Sequence, residues 1–236
     1  MFASFLLVLQ TFLSFSFVLF HFYLNLQPKT YSTEEFSMKK ILFLILPSLL
    51  LLSCKEEDNT VEEFANWQSV NETAFKAAYS KAVANTTDNI DTIRCYSLVG
   101  KIKTSPEDFI VVEKLNPIQD ILNRPGVKPG SPLFTDSVAV SYRGRLQPSV
   151  SFSKGYVFDQ SFTSDTYNPQ IAKPVKFRVS SLVPGFTTAL QNMNVGDHWL
   201  VHMPQQLGYG TTQSSSSSIP PYSMLTFEII LEKSWR

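Results

Sequence analysis

The stretch from Leu182 to Gly210 constrains the fold most, because its hydrophobic period changes part-way along. Phe186, Ala189, Leu190 and Met193 recur at intervals of three and four, which predicts a helix of two or three turns with one apolar face, opening after Pro184-Gly185. Val195-Gly196-Asp197 ends it. From His198 to Met203 the period is two, with Trp199, Val201 and Met203 on one side and His198, Leu200 and His202 on the other, which predicts a strand. Pro204 stops the strand, and the glycines of Leu207-Gly208-Tyr209-Gly210 let the backbone turn around a single tyrosine. A short helix feeding an antiparallel strand, with an aromatic ring at each end, builds either ordinary core or an apolar cup.

Alternation recurs elsewhere. Phe109 to Leu115 reads as a strand, and Asn123 to Pro132, with three prolines and two glycines, as a loop. Val138, Val140 and Tyr142 face one way and Ser141 and Arg143 the other; Val175, Phe177 and Val179 repeat the pattern, as do Leu225, Phe227, Ile229 and Leu231. Several alternating strands around one short helix predict an α+β domain, residues 109–236, with a strongly curved antiparallel sheet wrapped on that helix. Ser214 to Ser218 is the one low-complexity tract.

Ahead of this domain, Thr60 to Glu63 has the form of a capping box, so a helix is expected to start there. Phe64, Trp67, Ala74, Phe75, Ala78, Tyr79 and Ala82 mark its apolar stripe, with Glu62, Glu63, Gln68, Glu72 and Lys76 elsewhere on the wheel. Such a stripe docks the helix on its own domain, on a second copy of the chain in a homodimer, or on a client polypeptide.

Twenty basic residues balance twenty acidic ones in 236, with no basic run, which argues against a nucleic-acid partner. Cys54 and Cys95 are far apart, and His198 and His202 stand on the strand with no acidic or thiol partner in a metal-ligand spacing. No metal site and no cofactor are therefore expected, and the two histidines read as solvent-facing. Neither a G-x-S-x-G, a P-loop nor a dinucleotide fingerprint is present.

Met1 to Leu26 is apolar and long enough to span a bilayer but lacks a basic start. Met38-Lys39-Lys40 then opens an apolar run, Ile41 to Leu52, closed by Ser53-Cys54, and this looks like a bacterial lipoprotein signal, residues 38–53, with Leu51-Leu52-Ser53-Cys54 as its lipobox. Cys54 is the expected site of lipidation, and two or more acyl chains there give a firm membrane anchor. Two such segments in series are redundant. Residues 1–37 are read as an upstream extension absent from the mature protein, with a true membrane helix as the alternative. Residues 54–108 become a lipid-anchored spacer and helical segment, and the expected location is the cell envelope. Lys55-Glu56-Glu57-Asp58 resembles the short charged tag of some Bacteroidetes surface lipoproteins. Cys95, left without a partner, reads as a small buried apolar residue.

Over about the last hundred residues the chain resembles the FKBP-type peptidyl-prolyl cis-trans isomerases. Seven short matches follow in order: Val140-Ser141-Tyr142-Arg143-Gly144, Val157-Phe158-Asp159-Gln160-Ser161, Lys173-Pro174-Val175-Lys176-Phe177, Leu182-Val183-Pro184-Gly185-Phe186, Met193-Asn194-Val195-Gly196, Leu207-Gly208-Tyr209-Gly210 and Ile219-Pro220-Pro221. The resemblance implies a pocket with Tyr142, Phe158 and Asp159 on one wall, Val175 on another, Leu182 and Val183 at the helix entrance, Phe186 as the floor, Tyr209 as the hydrogen-bonding tyrosine, Ile219 on the loop and Phe227 behind. Phe186 stands where the family usually has tryptophan and Val175 where phenylalanine is frequent, so a roomier pocket is expected. The insert Phe162 to Ala172 leaves no arginine where the family often pairs one with the Asp159 position.

The implied activity is acceleration of Xaa-Pro rotation in exported, proline-containing polypeptides, with Tyr209, Asp159 and Phe186 as the residues closest to the chemistry. Asp159 either orients Tyr142 and polarises the pocket edge or caps its own turn; Tyr142 and Phe227 line the cup or simply pack the core. The rival reading is a non-catalytic chaperone or module that grips proline segments without turnover.

Overall fold

In the computed structural model, which describes residues 62–125, 130–212 and 218–236, seven antiparallel strands form one sheet coiled about a short helix. The elements are α1 (Trp67–Ala84), β1 (Ile90–Arg94), β2 (Phe109–Lys114), α2 (Gln119–Leu122), β3 (Ser137–Arg145), β4 (Val157–Gln160), β5 (Val175–Arg178), α3 (Pro184–Leu190), β6 (His198–Met203) and β7 (Leu225–Trp235). The strand order is β1-β2-β6-β7-β3-β4, and β5 pairs with β3 beside β4. The expected α+β architecture is present, and the unit from Val61 to Arg236 is compact.

The period switch marks the centre of the fold. In α3 the residues Gly185 to Leu190 are all buried, Pro184 occupies the first turn where its missing N–H costs nothing, and the chain turns into β6 through Gly196. Burial alternates along β6, with Trp199, Val201 and Met203 inward. Two buried threonines on α3 keep their hydroxyls satisfied: Thr187 donates to Val179 O at 2.8 Å and Thr188 to Pro184 O at 2.7 Å. A Cβ on Gly185 would lie 2.8 Å from Met203 Sδ and 3.1 Å from Leu207 O, so a glycine is what lets α3 approach β6 this closely.

Three expectations need correction. The first helix starts at Trp67, because Asn66 has a left-handed φ of 52° and Glu63 lies in the preceding turn, where its carboxylate accepts from the Ser149 hydroxyl and the Ser151 amide. Thr60 lies outside the described residues. The expected boundary at 108/109 falls between two paired strands, since Ile90–Arg94 pairs with Phe109–Glu113. The histidines do not face open solvent: His198 Nε2 is 3.0 Å from Glu228 Oε1, and His202 Nδ1 is 3.0 Å from Thr226 Oγ1.

The stripe of α1 lies on its own sheet, where Phe75 and Ala82 pack with Val111 and Met224. Only part of the stripe is fully buried, Ala74, Ala78 and Tyr79 being half-buried. Behind β3 the insert 162–172 covers the second face of the strand. Arg143 donates to the carbonyls of Ser164 and Asp165 and lies over the Phe162 ring, 4.4 Å from its centroid. Glu232, 3% exposed, accepts from Arg124, Ser141 and Tyr167, so the one carboxylate ties three segments together.

Candidate functional site

Strands β3, β4, β5 and β7 and the start of α3 bring the predicted aromatic residues to one place. Tyr142 on β3 stands edge-on to Phe186 of α3, with ring centroids 6.2 Å apart, and tilted to Phe227 of β7 at 6.4 Å. Phe227 in turn meets Phe186 edge-on at 5.1 Å and Phe158 of β4 edge-on at 5.4 Å. Edge-to-face pairs set the positive rim of one ring against the negative face of the next. Phe186 and Phe227 are 3% and 4% exposed, which makes them the floor and back of the cluster, whereas Phe158 is half-buried at its edge.

Glycine at position 144 is a condition for this cluster. A Cβ there would lie 2.5 Å from Phe158 Cζ and 2.7 Å from Phe227 Cε1, so both rings rest directly on the β3 backbone, where a register irregularity separates Gly144 from Arg145.

The polar groups gather at the rim. The Tyr142 hydroxyl donates to Asp159 Oδ2 at 2.8 Å. Burial pushes the Tyr142 phenol up, and the hydrogen bond to Asp159 and its charge push it further. Tyr209, 54% exposed, is raised as well, first by burial and then by the Asp159 charge. The Asp159 charge thus acts on both phenols, and only Tyr142 is hydrogen-bonded to it among the contacts described.

Leu182 and Val183 are half-buried immediately ahead of α3, and Ile219 is buried at 8% exposure on the turn before β7. Val175 keeps 37% exposure. One pleat further on, Phe177 puts its ring 5.7 Å from that of Tyr142, and sequence reasoning missed it as a cup residue although the alternation Val175, Phe177 places the two on one face. Arg143 belongs to the opposite face of β3 and pairs with Glu228 at 3.9 Å and with the insert, away from Asp159. Cys54 lies outside the described residues. No group of three His, Cys, Asp or Glu side chains suited to a metal occurs among the described residues.

A stretch of the chain, residues 129–232, matches the family described as FKBP-type peptidyl-prolyl cis-trans isomerase. These residues form an FKBP-type domain. The domain is 38% identical over 101 residues to the macrophage infectivity potentiator of Trypanosoma cruzi, covering 43% of this chain and 44% of that protein. It is 38% identical over 100 residues to the FKBP-type 22 kDa peptidyl-prolyl cis-trans isomerase of Escherichia coli, covering 42% of each. The outer membrane protein MIP of Legionella longbeachae is 38% identical over 106 residues, 45% of this chain and 38% of that protein. The chain thus spans less than half the length of these relatives. Every aromatic residue of the cluster falls inside the matched span, whereas α1, β1 and β2 lie before it.

Proposed function

We propose that the chain is a peptidyl-prolyl cis-trans isomerase acting on proline-containing polypeptides in the cell envelope. The observation that carries the reading is the aromatic cluster of Tyr142, Phe158, Phe186 and Phe227 with the Tyr142, Asp159 and Tyr209 polar groups at its rim.

Rotation about an Xaa-Pro bond requires no bond to be made or broken, only the loss of amide resonance, with a barrier of about 18–20 kcal/mol for peptide bonds. A twisted imide has lost charge separation. It is less polar than either planar isomer and relatively favoured where water is excluded. In this reading the ring cluster supplies that environment, and the prolyl ring packs over the aromatic cluster whose floor is Phe186. On the same reading the Tyr209 phenol and the Val183 amide at the helix entrance donate to the substrate carbonyls. Binding that is realised best in the twisted form lowers the barrier; a preference of about 4 kcal/mol gives roughly a thousandfold.

The lipobox at Leu51–Cys54, together with similarity to a relative named as an outer membrane protein, supports a lipid-anchored envelope location with Cys54 as the acylated residue. A homodimer through α1 is not part of the reading, because the buried part of its stripe already lies on its own sheet.

A protease-coupled assay with an Xaa-Pro peptide tests the function on residues 55–236. Acceleration that is lost in Tyr209→Ala and Phe186→Ala is expected. Peptide binding without acceleration would instead establish the non-catalytic binder.

A further inference from the structure

The helix α1 lies outside the matched domain, yet its first turn is wired to the turn that carries Ile219. Trp67 Nε1 donates to Ser223 Oγ at 2.8 Å, and that hydroxyl donates onward to Pro220 O at 2.7 Å. One turn along the helix, Asn71 Oδ1 accepts from the Met224 amide at 2.8 Å, while Asn71 Nδ2 is fixed on Trp67 O at 2.6 Å. Trp67, Asn71, Ser223 and Met224 are all buried, at 8%, 2%, 3% and 3% exposure. Hydrogen bonds so shielded from water are costly to leave unmade.

Between these anchors and the cup stands Tyr222, whose φ of 63° is left-handed in a residue with a large side chain. A backbone in that region persists only where its surroundings hold it. The Tyr222 amide donates to Gly210 O at 3.0 Å, which fastens the Ile219 turn to the residue next to Tyr209. The path therefore runs from α1 through Ser223 and Met224 to Tyr222, and from there to both Ile219 and Tyr209.

We propose that Trp67 and Asn71 are positioning residues for the cup: α1 sets the placement of the Ile219 wall, so that substrate affinity in the FKBP-type domain depends on a helix outside it. This rests on the reading of Ile219 as a cup residue. Because a wall contacts the bound peptide in the ground state and the twisted state alike, its displacement raises KM and leaves kcat nearly unchanged.

The experiment compares Ser223→Ala, Ser223→Thr, Asn71→Leu and Tyr79→Leu in the full-length chain, with Xaa-Pro peptide kinetics and amide hydrogen exchange as readouts. Tyr79 is the control, since it packs on Phe109 at 5.6 Å toward the far end of α1 and takes no part in the hydrogen bonds from α1 to the turn. Ser223→Ala, which removes both the hydrogen bond accepted from Trp67 and the one donated to Pro220 O, is expected to raise KM roughly fivefold and to speed exchange of the Tyr222 amide while β3 amides are unaffected. Ser223→Thr, which keeps the hydroxyl, restores both, and Tyr79→Leu changes neither. Should Asn71→Leu fail to fold, Trp67→Phe, which removes the bond to Ser223 Oγ and leaves the one from Ser223 to Pro220 O, carries the test in its place with the same expected rise in KM. If the wild-type chain shows no turnover, the functional reading fails and the exchange data decide the positioning role separately. Unchanged KM and unchanged Tyr222 exchange in Ser223→Ala, or an equal rise in KM in Tyr79→Leu, would overturn the proposal.

Discussion

Replacing Gly144 by alanine tests the cup at its tightest point. The added methyl would stand 2.5 Å from Phe158 Cζ and 2.7 Å from Phe227 Cε1, against the roughly 3.5–4.0 Å that two carbons need. Both contacts are too short, so both rings must give way by about 1 Å; the half-buried Phe158 has room to do so, whereas Phe227, 4% exposed and wedged between Phe186 and Tyr142, does not. Overpacking of this kind costs about 1–3 kcal/mol. At about 2–4 °C per kcal/mol for a chain of this size, the melting temperature should fall by about 2–12 °C. Displacing one wall ring should also lower kcat/KM for an Xaa-Pro peptide by about tenfold, equivalent to some 1.4 kcal/mol of transition-state binding. Thermal melting followed by circular dichroism and the peptide assay read the two effects separately. A lowered melting temperature with intact kcat/KM would remove Phe158 from the cup, and no change in either would refute the placement of Gly144 beneath the two rings.

Other perturbations have equally definite outcomes. Tyr209→Phe keeps the ring and removes one donor, so kcat/KM should drop by about 2- to 12-fold with little change in melting temperature, Tyr209 being 54% exposed. His202 is held down to about 4 from 6.5, first by burial and then by the Lys81 charge. With the folded value below the unfolded one, its contribution to stability is complete above pH 6.5 and is lost as pH falls toward 4, a total of at most about 3 kcal/mol; urea titrations at several pH values should show this slope and His202→Gln should remove it. Tyr167→Phe deletes a hydrogen bond to the buried Glu232 carboxylate on the far side of β3 from the cup, and should cost about 1–2 kcal/mol in denaturant melts while leaving peptide turnover intact. Cys54→Ser should shift the protein from the membrane to the soluble fraction, read by fractionation and by mass spectrometry of the lipidated peptide.

What the sequence makes legible here is whatever a local pattern encodes. The change of period at Val195 to Asp197 places α3 and β6, and Val138, Val140 and Tyr142 mark the inward face of β3, because each side chain's environment is set by neighbours a few residues away. Phe186, Phe227, Tyr142 and Phe158, which lie on four different elements, come together in one ring cluster. Long-range effects are not encoded that way. Ser141 and Arg143 show the outward phase of an alternating strand but are buried, because Glu232 and the carbonyls of the insert arrive from 19 to 91 residues away. Thr60 to Glu63 has the spacing of a capping box, yet Glu63 is taken by Ser149 and Ser151, and the helix waits until Trp67. Strand β1, Ile90-Asp91-Thr92-Ile93-Arg94, is an edge strand with mostly half-buried residues and so carries no clean alternation.

The most direct test of the account is exchange spectroscopy by nuclear magnetic resonance on an Xaa-Pro peptide at equilibrium, which observes cis-trans interconversion without a coupling protease. The account predicts that residues 55–236 in catalytic amount raise the exchange rate in proportion to their concentration, leave the cis and trans populations unchanged, and lose the effect with Tyr209→Ala. Cis and trans resonances that exchange no faster with the protein than without it would contradict it.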